Sequence, residues 1–167
     1  CEFAIQNKIK NIIYFSSGSV YGISKSKKVT EDHPLKPISD YNKSKMISER
    51  VFESYRKTLN INIVRPATVC GVSKRLRLDV SLNLMTYAAY KNKKIIVHGG
   101  QQVRPNINIK DLIRVIHFLI EKKIKNQTIN AGFENLKLID LAKKISKATN
   151  AKIQVLPIID KRSYYLN

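Results

Sequence analysis

The stretch Asn11-Ile12-Ile13-Tyr14-Phe15-Ser16-Ser17-Gly18-Ser19-Val20-Tyr21-Gly22 decides how this chain is read. Its first half is a short apolar run rich in β-forming residues, the pattern of a strand buried in a parallel sheet. Its second half turns small and polar and closes on glycine, and Pro34 and Pro37 punctuate the loop that follows. A helix is expected from Asp40, as N-cap, to about Leu59, with Ile47, Val51 and Tyr55 on one face. Ile61 to Val64 reads as the next strand, ended by Pro66. Strand, helix and strand in that order imply a crossover unit and a parallel sheet.

The alternation continues outward. Helices are expected over Leu78–Tyr90, Asn108–Glu121 and Leu136–Thr149, and strands at Ile95–Val97, Thr128–Asn130 and Ile153–Leu156. Leu112, Val115, Ile116 and Leu119 form the inward face of the middle helix. The fold class is α/β throughout. A length of 167 residues and a hydrophobic content of 43% suffice for a buried core and argue against disorder.

No apolar run approaches the roughly 20 residues that span a bilayer, and the N-terminus lacks the layout of a signal peptide. Cys1 and Cys70 form neither a disulfide framework nor a metal motif, and His33, His98 and His117 show no ligand spacing. These features predict a cytoplasmic protein with no membrane partner and no metal. Residue 1 is Cys, and Ser163 to Asn167 stops in mid-pattern, so the chain is expected to be a fragment.

Lys and Arg number 31 against 12 Asp and Glu, a formal net charge of +19. Such a surface can neutralise phosphates. The lysines, however, are scattered in short groups, such as Lys91, Lys93 and Lys94, and travel with abundant Ile and Asn. A solvated, composition-driven surface is the expectation, and nucleic acid is not the expected partner.

Tyr41 and Lys45 lie four residues apart at the start of a predicted helix, so both project from one face. An ammonium beside a phenol favours the phenolate, which makes a general base for a hydroxyl and, in reverse, a general acid. Alone this spacing is commonplace. It gains meaning from Ser17, which follows a buried strand at the edge where parallel sheets hold ligands. The Ser17 hydroxyl is placed to donate to the oxygen that Tyr41 deprotonates.

With Ser16-Ser17-Gly18-Ser19-Val20-Tyr21-Gly22 and Tyr41-x-x-x-Lys45 in hand, the chain resembles the extended short-chain dehydrogenase/reductase family. Within it, the similarity is to the NAD-dependent epimerase/dehydratase branch, with UDP-galactose 4-epimerases among its members. The resemblance continues at Arg65-Pro66-Ala67-Thr68-Val69-Cys70-Gly71, Asn83-Leu84-Met85, His98 to Pro105 and Ile109 to Leu112. It implies the C-terminal part of a Rossmann-type parallel sheet plus most of a small α/β substrate-binding domain. Residues 1–72 would be the partial NAD-binding domain, and 73–167 would mix remaining Rossmann elements with the substrate domain.

The resemblance also implies roles. Ser17, Tyr41 and Lys45 are the catalytic set, and Ser16, Tyr41, Lys45 and Pro66 hold the cofactor, NAD or NADP. Ser17, Thr68, Asn83 and Arg104 contact the substrate, with Arg104 and Asn83 on its diphosphate. Asp111 is expected to cap a helix, and Cys70 to be a small packed residue. The full-length enzyme is implied to dimerise through the helix that bears Tyr41.

Three departures narrow this reading. The 4,6-dehydratases of the family carry Asp-Glu directly after the catalytic Ser or Thr, whereas this chain has Gly18 and Ser19. Thr68 stands where Asn is common. No glycine-rich dinucleotide turn occurs in the chain. The expected function is therefore NAD(P)-dependent epimerisation of a nucleotide sugar through a keto form. The alternatives are a one-way reductase or dehydrogenase of a keto sugar or other carbonyl, and an inactive basic nucleotide- or RNA-binding fragment.

Overall fold

Parallel pairing begins at the opening stretch: β1 (Asn11–Phe15) lies beside β2 (Asn60–Pro66), in register from Asn11 opposite Asn60 to Phe15 opposite Val64. The computed structural model that shows this describes residues 1–24, 26, 28–157 and 165–166. A short helix, α1 (Glu2–Gln6), precedes β1, and a 3-10 turn, Gly18–Tyr21, follows it. The crossover to β2 runs through α2 (Asp40–Ser54).

The cap of α2 is Ser39 rather than Asp40: the Ser39 hydroxyl accepts the Asn42 N–H at 3.2 Å, while Asp40 opens the first turn, where its charge suits the helix dipole. The helix ends near Ser54 rather than Leu59, and a turn carries the chain into β2. The residues expected on one apolar face part company, and of the three Tyr55 packs against the cluster of Ala4, Leu59, Ile61 and Ile63. Ile47 and Val51 are more than half exposed, whereas Glu49 is buried and Met46 and Phe52 pack inward. The apolar stripe and the face turned to the sheet are thus different faces, because a buried ion pair, described below, fixes the rotation of the helix.

After β2 the chain forms β3 (Thr68–Cys70), α3 (Ser81–Asn92), β4 (Lys94–His98), β5 (Val103–Asn108) and α4 (Ile109–Glu121). It then forms β6 (Thr128–Ala131), β7 (Glu134–Lys137), α5 (Leu138–Thr149) and β8 (Lys152–Leu156). These strands make three small sheets: β1-β2-β6 parallel, β4-β8 parallel, and β3-β5-β7, in which β5 and β7 run antiparallel. The α/β class holds, with one antiparallel pair in an otherwise parallel arrangement.

Helix α5 starts at Leu138 rather than Leu136. Val103 pairs with Lys137 and Arg104 with Leu136, so Glu134 to Lys137 extend as a strand. A partner distant in sequence overrides local helix preference there. In α4 the expected inner face is present, with Leu112 and Leu119 buried, but Asn108 is the cap and Asp111 pairs instead with Arg114 at 2.7 Å.

Val64, Ala67, Ile107, Leu112, Leu119 and Ala131 form one core with Val20 and Tyr21 of the 3-10 turn. A second core gathers α3, β4, α5 and β8 around Ala89, Ile95, Val97, Leu141 and Ala142. Both α4 and β6 come from the second half of the chain, yet they pack on the first core. The two cores leave a cleft between them at the carboxyl ends of β1 and β2. No helix among the described residues is long and apolar enough to cross a membrane.

Candidate active site

The cleft holds a cavity of about 860 Å³. Ser16 and Ser17 from the end of β1, Pro66 and Thr68 from β2 and β3, and Tyr41 from the first turn of α2 share its wall. Arg104 of β5 lines the same cavity. Residues far apart in the chain therefore face one space because each follows or begins an element whose end reaches the sheet's carboxyl edge.

Ser17 is held by its own turn. Its Oγ accepts the Ser19 N–H at 3.2 Å and lies 2.7 Å from the Ser19 hydroxyl. The loop after it closes at Gly22, whose φ of +68° places a side chain's first carbon 2.0 Å from the Lys36 carbonyl oxygen. Only glycine fits there. Tyr41 is more than half exposed, with its ring at the cavity wall. One turn on, Lys45 donates to the Phe15 carbonyl oxygen at 2.8 Å, its Nζ 5.9 Å from the Tyr41 ring centre and 5.0 Å from that of Tyr14. The Phe15 carbonyl at the end of β1 thus tethers the lysine beside Tyr41.

Ser16 is 4% exposed, lines the cavity, and its Oγ has no hydrogen-bond partner among the described residues.

Asn83 is placed elsewhere. Its Oδ1 accepts the Gly71 N–H at 3.0 Å and its Nδ2 donates to the Arg77 carbonyl at 2.9 Å, so its amide ties the 71–77 loop to α3 outside the cavity wall. Both ends of the amide are bonded to main chain, a structural role that the sequence reading did not anticipate. Cys70 is buried, its Sγ 3.3 Å from the Ile107 carbonyl, and burial pushes its thiol up from the usual range, as befits a packed residue. Among the described residues no cluster of His, Cys, Asp or Glu forms a metal site.

The sequence reading missed several wall residues. Arg77 and Asp79 form a two-pronged pair, with bonds of 3.1 and 2.6 Å, at the cavity mouth. The hydrogen bond from Arg77 holds the Asp79 carboxyl below its usual range, and the Arg77 guanidinium lies within electrostatic reach of Tyr41. Ser19 and Asn42 also face the cavity. The one available signal was adjacency: Asn42 follows Tyr41 directly.

Beneath the site lies a buried polar network. Arg65 on β2 grips Glu49 on α2 through bonds of 2.7 to 3.2 Å, and its Nη1 donates to the Tyr21 hydroxyl at 2.7 Å and the Glu31 carbonyl at 3.0 Å. Tyr21 in turn donates to Asn130 Oδ1 on β6 at 2.8 Å. The loop carrying Ser17, the helix carrying Tyr41 and two strands are cross-linked by these bonds. Burial raises the Tyr21 phenol above its ordinary value, with the Arg65 cation opposing.

Residues 1–132 match the family described as NAD dependent epimerase/dehydratase. The chain belongs to that family. A GDP-6-deoxy-D-talose 4-dehydrogenase from Aggregatibacter actinomycetemcomitans is 32% identical over 119 residues, 71% of this chain and 40% of that protein. Among solved structures, a UDP-glucuronic acid 4-epimerase from Bacillus cereus in complex with NAD is 29% identical with a TM-score of 0.81, over 93% of this chain and 53% of that one. A dTDP-glucose 4,6-dehydratase from Bacillus anthracis, also with NAD, superposes with a TM-score of 0.84 at 22% identity, over 99% of this chain and 55% of that one, and shows the shared Rossmann-like fold. The chain spans about half the length of these relatives or less.

Proposed function

We propose that the full-length polypeptide carrying this chain is a nicotinamide-dependent epimerase of a nucleotide sugar, with Tyr41 as acid and base. The observation that carries this reading is the shared cavity wall of Ser17 and Tyr41, with Lys45 tethered one helical turn behind. Ser16, Pro66 and Tyr41 of the cavity wall, with Lys45 beside Tyr41, are the residues that would hold the cofactor. NAD, or NADP, supplies the acceptor and donor of hydride when bound. Tyr41 takes the proton from the sugar hydroxyl and returns it, and Ser17 hydrogen-bonds the same oxygen. Lys45 supplies positive charge behind Tyr41, Arg104 faces the substrate diphosphate with its planar fork, and Thr68 contacts the sugar. Whole-protein substrates are inferred from nucleotide-sugar relatives, and a homodimer through α2 draws support from its exposed Ile47 and Val51.

Dehydration is disfavoured at Gly18. A side chain there meets both terminal methyls of Leu166 at 3.0 Å and the Pro66 carbonyl at 3.2 Å, so the acid that dehydratases carry at this position enters only if these neighbours give by a few tenths of an ångström. The 4-dehydrogenase among the relatives favours one second reading, a one-way reductase or dehydrogenase. Net consumption of NAD(P)H separates it from an epimerase, which regenerates its cofactor. The main test replaces Tyr41 by Phe in the full-length polypeptide. Turnover should be abolished while nucleotide binding persists, and retained turnover excludes the assignment.

A further inference from the structure

The hydroxyl of Ser19 is enclosed by two partners. It donates to Asn42 Oδ1 at 2.7 Å and lies 2.7 Å from Ser17 Oγ, which also accepts the Ser19 N–H at 3.2 Å. A hydroxyl has one proton to give. With the Ser19 proton on Asn42, Ser19 Oγ can only accept from Ser17. The Ser17 proton therefore points along its own loop, and Ser17 offers the cavity a lone pair alone.

Both forms of the reacting sugar oxygen need the opposite polarity. An oxygen losing its proton to Tyr41, and the carbonyl it becomes, are both stabilised by a donor. Asn42 is the residue able to reverse the chain, because its amide carries donors as well as an acceptor. Turning that amide presents Nδ2 to Ser19. Ser19 then donates to Ser17, and the Ser17 proton is released toward the cavity. The three side chains share the cavity wall with Tyr41, and Asn42 sits next to Tyr41 on α2, so this chain of bonds links helix to loop at the site itself.

We propose that Asn42 and Ser19 form a hydrogen-bond relay that sets the direction of the Ser17 hydroxyl, satisfying it internally without substrate and turning it into a donor when a sugar oxygen arrives. Both are positioning residues that act through Ser17, and the inference rests on the reading of Ser17 and Tyr41 given above.

The test is a mutant cycle in the full-length polypeptide, with nucleotide-sugar turnover as the readout. Asn42→Ala and Ser19→Ala should each lower kcat about fivefold to tenfold, the worth of one hydrogen bond, with KM little changed. Asn42→Asp, which accepts but cannot donate, should lose at least as much as Asn42→Ala. In a Ser17→Ala background Asn42→Ala and Ser19→Ala should have no further effect, because a relay without its terminus has nothing to orient. Full activity of both single variants overturns the relay while leaving the Tyr41 reading intact. Equal losses with and without Ser17 also overturn it, since the residues then act on the fold or on Tyr41. A wild-type polypeptide inactive on every nucleotide sugar overturns the reading of the site, and the relay with it.

Discussion

Arg65 and Glu49 are bonded to each other inside the molecule, guanidinium to carboxylate at 2.7 Å, with 6% and 1% of their side chains exposed. The pair joins β2 to the helix that presents Tyr41 and Lys45, and so fixes that helix against the sheet. Removing one partner strands a buried charge, which costs about 3–5 kcal/mol. Glu49→Ala should lower the unfolding free energy by that order and reduce turnover more than nucleotide affinity. Chemical unfolding together with kinetics of the same preparation checks both.

Gly18 is tightly enclosed. Its neighbours Leu166 and Pro66 come from segments far away in sequence, and Leu166 is anchored by paired 2.9 Å bonds to the Asn135 amide. Gly18→Ala forces Leu166 to shift and should cost about 1–3 kcal/mol. Gly18→Asp adds a carboxylate to an apolar contact and should cost more. The Gly18→Asp, Ser19→Glu double variant should therefore be destabilised and produce no dehydrated sugar, as product analysis by mass would show.

Asn83 separates a structural from a binding role. Asn83→Ala leaves the Gly71 N–H and the Arg77 carbonyl without their partner and should destabilise the fold by about 1–3 kcal/mol. Addition of nucleotide sugar should raise the melting temperature of this variant by as much as that of the wild type. A ligand-induced shift that vanishes would return Asn83 to the binding set.

The buried Tyr21 hydroxyl predicts alkaline sensitivity. Its phenol is raised in the folded state, so the unfolded chain loses that proton first as pH rises past the ordinary value of 10.0. Its contribution is complete below that value and is lost as pH climbs toward the raised folded one. Tyr55, raised by its hydrogen bond to Glu2, acts in the same direction. Stability against urea should be unaffected by this group near neutrality and fall above pH 10, less steeply in Tyr21→Phe.

The sequence by itself determined the elements whose pattern is local. The apolar run Asn11 to Phe15, the amphipathic α4 and the Tyr41–Lys45 spacing were legible because burial in a parallel sheet and 3.6-residue periodicity leave marks on neighbouring residues. The family followed from the same segments, and the structure brings Ser17, Tyr41, Thr68 and Arg104 to one cavity wall. Strands β3, β5 and β7 were not legible, because short strands are specified by partners far along the chain: Leu136 extends only because Arg104 lies opposite it. The same reason hid the inner face of α2, which the buried Glu49–Arg65 pair sets rather than the apolar stripe. It also hid Asn42 and Ser19, two ordinary polar residues 23 positions apart that acquire a role only when the fold brings them to 2.7 Å.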